Sequence, residues 1–295
     1  MGAVPEWAEG EKYCLWFLRT TYVGHVLFAN GNAVWVDENP ATLSEAIRPA
    51  IWIRSGTGQG NGEITTESDT GQDDGHDENW TYSSVDVGDY ITFGSYEQDN
   101  NTANGPESIR WKVLAKENGK LFLVSEYGLD AKPYNEEYED VVTWETCTLR
   151  SWLNNDFYNT AFSSSEKTKI QTTKVVNADN PGYGTEGGND TEDKVFLLSL
   201  DETRQYFDID TNIEDNVDGA HYYGAGYDIA CKPTEYAQAQ GAVVKGKEKY
   251  AWWWLRSPGG QPYNAANVSS DLIRSIGSMV DIKQGSVRPA IWITP

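Results

Sequence analysis

The chain has 295 residues, of which 39% are hydrophobic and 13% aromatic, and this composition excludes a wholly disordered protein because it can fill a sizeable core. The formal net charge of -22 argues against nucleic acid or anionic lipid as a partner, since both require clustered lysine and arginine side chains. No apolar stretch is as long as a membrane span, so no membrane insertion is expected.

The chain opens with a partial copy of its own C-terminal segment. Residues 13–19 (YCLWFLR) match residues 250–256 (YAWWWLR), and residues 47–53 (IRPAIWI) match residues 287–293 (VRPAIWI). The two blocks occur in the same order and at nearly the same separation, which indicates a duplication rather than chance. Residues 1–53 are therefore interpreted as a partial repeat.

A polar segment, residues 54–86, separates this repeat from the rest of the chain. It consists mainly of Gly, Thr, Asn, Asp and Glu, with almost no large apolar side chain before Trp80. Such a composition cannot bury enough apolar surface to offset the entropy of ordering. We therefore predict a flexible, acidic and Gly-rich linker at 54–86, followed by a complete domain at 87–295.

The complete domain combines strand patterns with helix patterns. Apolar spacing, capping boxes and turn residues predict its elements in chain order. They are a strand at 90–96, a hairpin of 109–115 and 121–127 around Asn118-Gly119, a helix at 148–160, a helix after Ser163, a buried strand at 195–200, a helix after Ser199, a short helix at 234–240 and a terminal strand at 288–293. This order predicts an α+β domain with helices packed on a sheet.

Four motifs resemble those of an uncharacterised domain family that is widespread in gut anaerobes. They lie at 143–154 (TWETCTLRSWLN), 187–199 (GGNDTEDKVFLLS), 231–237 (CKPTEYA) and 252–259 (WWWLRSPG). The family resembles the C-type lectin fold, in the branch shared by formylglycine-generating enzymes and retroelement-diversified variable proteins. The resemblance covers residues 87–293 and implies a C-type-lectin-like domain, with helices on a twisted, mostly antiparallel sheet and long loops.

The resemblance also implies where a ligand would bind. Retroelement-diversified proteins of this fold carry a variable binding surface just before the terminal strand, and the matching stretch here is 261–284. We expect this stretch to be polar and irregular, with adaptable hydrogen-bonding groups around one aromatic ring. A solvated loop over the sheet is the alternative interpretation. The candidate ligand-binding residues are Tyr263, Asn264, Asn267, Ser269, Asp271 and Arg274.

The loop at 179–193 is the one place where a metal ion is considered. It concentrates oxygen ligands between glycines, and calcium prefers carboxylate and carbonyl oxygens. Asp179, Asp190 and Asp193 are the candidate calcium ligands. Tight turning without a metal is the alternative, and no other cofactor is expected.

Other conspicuous residues are interpreted as structural. The run Trp252-Trp253-Trp254 is assigned to the core rather than to a sugar-stacking platform, because a strand covered on both faces buries alternate side chains. Cys147 and Cys231 are expected to act as small apolar residues, and Arg256 to neutralise a buried acid or clamp a loop. The three histidines have no metal-ligand spacing, and no enzymatic activity is expected.

The sequence thus favours a non-catalytic ligand-binding or adhesion protein that recognises a glycan or a protein. We expect it at the cell surface or outside the cell, although its first residues lack the features of a signal peptide. The alternative is a self-assembling surface or filament protein in which residues 13–53 join protomers. That segment carries large apolar side chains but not the helices that would cover them. It is therefore expected to dock on the second domain of its own chain, to add to another chain as strands, or to belong to a longer parent protein.

Overall fold

The computed structural model describes residues 80–207, 229–246, 249–269 and 272–295, together with the backbone of five strands outside these ranges. The chain divides into two compact units, residues 1–71 and 72–295. In the first unit the described part is a three-stranded antiparallel sheet. Its strands are β1 (Trp16–Tyr22), β2 (His25–Ala29) and β3 (Val34–Val36). The rest of the predicted repeat and the linker up to residue 79 lie outside the described residues.

The second unit contains strands along its whole length. They are β4 (Tyr90–Tyr96), β5 (Glu107–Glu117), β6 (Lys120–Ser125), β7 (Asp130–Ala131), β8 (Thr173–Val175), β9 (Thr191–Asp193), β10 (Glu214–Asp215), β11 (His221–Gly224), β12 (Val244–Lys245), β13 (Tyr250–Ala251), β14 (Trp253–Pro258), β15 (Asn264–Ser269), β16 (Leu272–Met279), β17 (Ser286–Val287) and β18 (Ala290–Ile293). One sheet has the order β18-β6-β5-β4 and another the order β10-β11-β16-β15-β14-β17-β7. Within both sheets the strands pair antiparallel, except β14 with β17.

Short helices lie between the strands. They are a 3-10 turn (Tyr82–Ser84), α1 (Thr148–Trp152), a π-helical turn (Leu153–Phe157), α2 (Tyr158–Ala161), α3 (Ser164–Lys167), α4 (Leu200–Tyr206) and α5 (Glu235–Gln240). The first helix prediction, 148–160, corresponds to the continuous run from α1 to α2. This run packs its aromatic rings on β4, where Tyr96 and Phe157 have ring centroids 5.1 Å apart. The second unit is therefore a mixed α+β fold, as predicted.

Local sequence signals determine several elements. Asn118 and Gly119 take φ values of 50° and 78°, the left-handed conformation that a two-residue hairpin turn requires, and they join β5 to β6 as predicted. The capping boxes predicted at Ser163 and Ser199 are both formed, at the starts of α3 and α4. Gly241, with φ of 117°, ends α5.

Two segments differ from the sequence prediction. Residues 195–198 are buried but form no regular strand; only Phe196 bridges to Ala290 of β18. The stretch from 261 to 284, expected to be irregular, contains the paired strands β15 and β16 inside a sheet. Most of its buried positions are filled by small or polar residues such as Ser275 and Gly277, so the alternation has few of the large apolar side chains that usually mark a strand.

Large aromatic side chains form the core of the second unit. Trp111, Trp144, Trp253 and Trp254 are at most 1% exposed, while Trp252 is half-buried, so the tryptophan run belongs mainly to the core. Phe122 of β6 stacks on Trp292 of β18 with centroids 4.8 Å apart. In the part of the chain that is described, no helix has the length and apolarity needed to cross a bilayer.

Candidate functional site

The most exposed aromatic feature of the described domain lies where two loops meet. One loop follows β7, and the other is the turn that leads from β14 into β15. Three backbone hydrogen bonds fix the two loops on the end of β16: Val142 N donates to Pro262 O at 2.9 Å, Asn135 N to Val280 O at 2.9 Å, and Val280 N to Tyr263 O at 3.0 Å. The side chains presented here therefore stand on a rigid backbone frame.

Two tyrosine rings form the centre of this feature. The ring centroids of Tyr138 and Tyr263 are 5.9 Å apart, with an interplanar angle of 45°. Tyr138 is 46% exposed, and beside the pair Val141 is 64% exposed and Met279 42% exposed. Met279 lies opposite Asn264 in register, in the backbone segment next to Tyr263. We call the paired side chains of Tyr138 and Tyr263 the Tyr138–Tyr263 surface.

Two carboxylates, Asp140 and Asp281, act on the hydroxyl of Tyr138. The Tyr138 hydroxyl donates to Asp140 Oδ1 at 3.2 Å. The pKa of the Tyr138 phenol is raised, first by desolvation and then by this hydrogen bond and the negative charges of Asp140 and Asp281. The phenol therefore keeps its proton and remains a hydrogen-bond donor at neutral pH.

Five of the six predicted ligand-binding residues are described, and they lie along the β15–β16 hairpin or directly before it. Tyr263 and Asn264 lie at the end beside Met279, whereas Ser269 lies at the other end of β15, opposite Leu272. Five residue steps along a strand separate Asn264 from Ser269 by about 17 Å. The predicted residues therefore do not form one cluster.

The remaining predicted residues have different environments. Asn267 is 1% exposed, and its Nδ2 donates to Ser278 Oγ at 2.9 Å. Its amide is therefore hydrogen-bonded within the hairpin. Arg274 is half-buried and lies opposite Asn267 in register. Asp271 lies outside the described residues.

Tyr138 is not among the ligand-binding residues predicted from the sequence, whereas Tyr263 is. Tyr138 and Val141 belong to a loop that is distant in sequence from the closing segment, and only the fold brings them to Tyr263. The available signal was an aromatic residue within the acidic run 136–140 (EEYED). That run has no apolar periodicity, and an exposed tyrosine is therefore hard to distinguish from loop composition.

The three predicted calcium ligands are all engaged by groups of the protein. Asp179 Oδ1 accepts from Gly187 N at 3.0 Å, and Asp190 pairs with Lys174 Nζ at 3.0 Å. Asp193 is 1% exposed, and four protein groups donate hydrogen bonds to its carboxylate. Its carboxylate accepts from Arg150 Nε at 2.6 Å, Trp144 Nε1 at 2.9 Å, Thr191 Oγ1 at 2.7 Å and Asn154 Nδ2 at 3.4 Å.

These carboxylates do not fit a shared calcium ion, because Asp193 already has a cationic partner and the three do not converge. Among the residues that the structure describes, the one acidic group of three whose ligand atoms lie within 4.8 Å of one another is Glu97, Asp99 and Glu107. Its oxygens accept backbone hydrogen bonds, such as Gln98 N to Glu107 Oε2 at 2.6 Å. Calcium binding at 179–193 stays a prediction without a converging ligand set.

The described cysteines are positioned as structural groups. Cys147 and Cys231 are buried and unpaired. Burial raises the pKa of the Cys147 thiol to about 12 and also raises that of Cys231, so neither forms the thiolate that nucleophilic or redox chemistry requires. The Sγ atom of Cys147 instead accepts from Arg150 N at the start of α1. Cys14 lies outside the described residues.

The comparisons with known proteins give one match. A family model described as "Domain of unknown function (DUF6273)" matches residues 118–295. No curated protein and no solved structure matches the chain. The matched range includes both loops that carry the Tyr138–Tyr263 surface.

Proposed function

Because the chain belongs to the DUF6273 family, whose description assigns no function, we propose from the site itself that it is a non-catalytic ligand-binding or adhesion protein. Its ligand, a glycan or a protein, binds at the Tyr138–Tyr263 surface. The observation that carries this proposal is a pair of tyrosine rings, 5.9 Å apart, held at the surface by backbone hydrogen bonds between two loops.

The physical argument starts from the cost of exposing these side chains. Apolar area in water is unfavourable by about 25 cal/mol per Å², and contiguous exposed apolar patches with polar rims are typical of interaction sites. Tyr138, Val141 and Met279 are each more than 40% exposed, and acidic residues flank them. Tyrosine rings supply contact area with only two side-chain torsions to fix, so binding costs little entropy.

Binding rather than catalysis is supported by the state of the reactive groups. The two described cysteines are protonated and buried. The buried carboxylate Asp193 is paired with Arg150, and the buried Arg256 is paired with Glu202. Each of these groups stabilises the fold, and none is left to act on a substrate.

The finer fold assignment is also a proposal. Helices packed on antiparallel sheets, long loops, and a C-terminal strand paired with the early hairpin β5–β6 support a C-type-lectin-like domain. A ligand-binding domain of this kind would act at the cell surface or outside the cell, which we propose as its location.

The test is a binding screen with matched variants of the full chain. Wild-type protein and the double variant Tyr138→Ser/Tyr263→Ser are applied to glycan and peptide arrays. Tyr90→Ser is the control, since Tyr90 is 41% exposed on β4. We expect at least one ligand that binds the wild type and the control but not the double variant. If every ligand binds all three proteins equally, the proposal is wrong.

A further inference from the structure

The residues that flank the Tyr138–Tyr263 surface are strongly unbalanced in charge. The segments 134–142, 261–264 and 279–283 together contain five acidic residues and one basic residue, Lys283. The acidic residues are Glu136, Glu137, Glu139, Asp140 and Asp281. The four acidic residues of the first segment are all exposed, so their charges lie in solvent on the loop that carries Tyr138.

Other tyrosines of the domain show what covers such a ring inside the protein. The guanidinium of Arg110 lies 4.4 Å from the ring centroid of Tyr90, and Lys116 Nζ lies 4.8 Å from that of Tyr82. Within the described parts of the chain, no lysine or arginine covers the ring of Tyr138 or Tyr263. Among the described residues, these two rings therefore lack the cationic cover that Tyr82 and Tyr90 have.

A positive side chain over these rings would be attracted both by the rings and by nearby carboxylates. The face of an aromatic ring attracts a cation, and the Asp140 and Asp281 carboxylates, whose charges act on the Tyr138 hydroxyl, would attract it as well. A neutral sugar would gain contact area from the rings but nothing from the net charge. Charge complementarity therefore discriminates between the two ligand classes left open above.

We propose that the partner at the Tyr138–Tyr263 surface is a basic polypeptide segment, with lysine or arginine side chains over the tyrosine rings and against the surrounding carboxylates. This inference rests on the proposed function and specifies the chemistry of its ligand.

The experiment distinguishes binding at this surface from non-specific attraction to the negative net charge of the chain. A fluorescent peptide of alternating arginine and glycine is titrated with the full-length protein, and anisotropy is followed at low and at moderate salt. Matched peptides with glutamate or serine in place of arginine, and neutral oligosaccharides, are the other probes. The double variant Tyr138→Ser/Tyr263→Ser removes the rings and leaves the net charge unchanged.

Charge variants complete the design. Glu139→Gln/Asp140→Asn removes two charges at the surface, and Asp156→Asn/Glu192→Gln removes two exposed charges outside the three flanking segments. We expect the arginine peptide to bind the wild type, and the ring variant and the local charge variant each to bind it about tenfold more weakly. The second charge variant should bind almost as well as the wild type, and the glutamate peptide should not bind.

Each other result overturns the inference in a recognisable way. Equal binding by the ring variant, with equal losses in both charge variants, means that only the overall negative charge attracts the peptide. Ring-dependent binding of a neutral oligosaccharide without binding of the arginine peptide leaves the proposed function standing and contradicts the basic partner. Absence of any ring-dependent ligand in this experiment and in the array screen contradicts both.

Discussion

Two fully buried tryptophans differ in one hydrogen bond. The indole Nε1 of Trp111 donates to Phe93 O at 2.6 Å, whereas that of Trp253 has no partner among the described residues although its side chain is fully buried. An unpaired buried donor costs about 1–3 kcal/mol, and so does an acceptor that loses its donor. The cost of the Trp253 donor is therefore already present in the native protein.

Replacing each of these tryptophans by phenylalanine removes the same side-chain volume at both sites. The comparison therefore tests the effect of the hydrogen bond. We expect Trp111→Phe to lower the free energy of unfolding by about 2 kcal/mol more than Trp253→Phe, because only the former removes a hydrogen bond that the folded protein makes. Urea unfolding of both variants measures the two losses. Equal losses of unfolding free energy would mean that the indole of Trp253 also donates a hydrogen bond in the folded protein, which would contradict this account.

Asp130 is a buried acid whose charge is costly. It is 2% exposed; its Oδ2 accepts from the Tyr96 hydroxyl at 2.7 Å and its Oδ1 from Ala131 N at 2.7 Å. Burial raises the pKa of Asp130 above its ordinary value, although the hydrogen bond from Tyr96 and the charge of Lys132 oppose the shift. The folded state therefore binds the proton more tightly than the unfolded chain does.

The raised pKa of Asp130 determines how the stability of the protein changes with pH. The stabilisation from the protonated carboxyl is complete below the pKa of an unfolded aspartate, about 3.9, and is lost as the pH rises through the folded pKa. We therefore expect Asp130→Asn to become more stable relative to the wild type as the pH rises through that range. Urea unfolding at a series of pH values measures the difference, with the exposed Asp156→Asn as control. A difference that does not change with pH would contradict this account.

At the scale of elements, local signals were sufficient for turns and helix starts. The Asn118-Gly119 turn and the boxes at Ser163 and Ser199 depend on residues a few positions apart, so the sequence contains all the interacting groups. The hairpin of β15 and β16 was missed because small or polar residues fill most of its buried positions, and only Val268 and Ile273 are large and apolar there. Its pairing is enforced by neighbouring strands, and that information is not local.

The two predicted capping boxes differ in what else their glutamates bind. Glu166 also accepts from Gly94 N at 2.8 Å, on β4. Glu202 accepts from Arg256 Nη2 at 2.9 Å and also pairs with Nη1 of the same guanidinium. The Arg256 side chain is 3% exposed, so Glu202 neutralises a buried charge while it caps α4.

This difference predicts unequal costs for the same substitution. Glu202→Gln should lower the free energy of unfolding by about 2–3 kcal/mol, because it leaves Arg256 buried without a counter-charge. Glu166→Gln should cost about 1 kcal/mol, because it weakens hydrogen bonds and leaves no buried charge unpaired. Thermal or urea unfolding compares the two variants. Equal small losses would mean that water reaches Arg256 in the folded protein.

At the scale of the whole molecule, the sequence predicted the α+β class and one part of the candidate site. Tyr263 was singled out within the closing segment, whereas Tyr138 joins it only through the folding of a distant loop. Asn267, also singled out, is taken into the interior of the sheet. Composition predicts that a segment is polar, but the register of the strands decides which polar side chains reach solvent.

The assembly hypothesis belongs to this scale as well. It concerns residues 13–53, of which the structure describes three strand backbones and no side chains. Joining of protomers through this repeat therefore stays a prediction from the duplication of the closing motifs in the sequence.

The central claim is that the Tyr138–Tyr263 surface binds the ligand of this protein. The most direct measurement is the dissociation constant of the strongest array ligand for the wild type, for Tyr138→Ser/Tyr263→Ser and for Tyr90→Ser, by isothermal titration calorimetry of the full chain. We predict a loss of about tenfold or more, about 1.4 kcal/mol, for the double variant alone, at an unchanged unfolding free energy. Equal dissociation constants for all three proteins would contradict the claim.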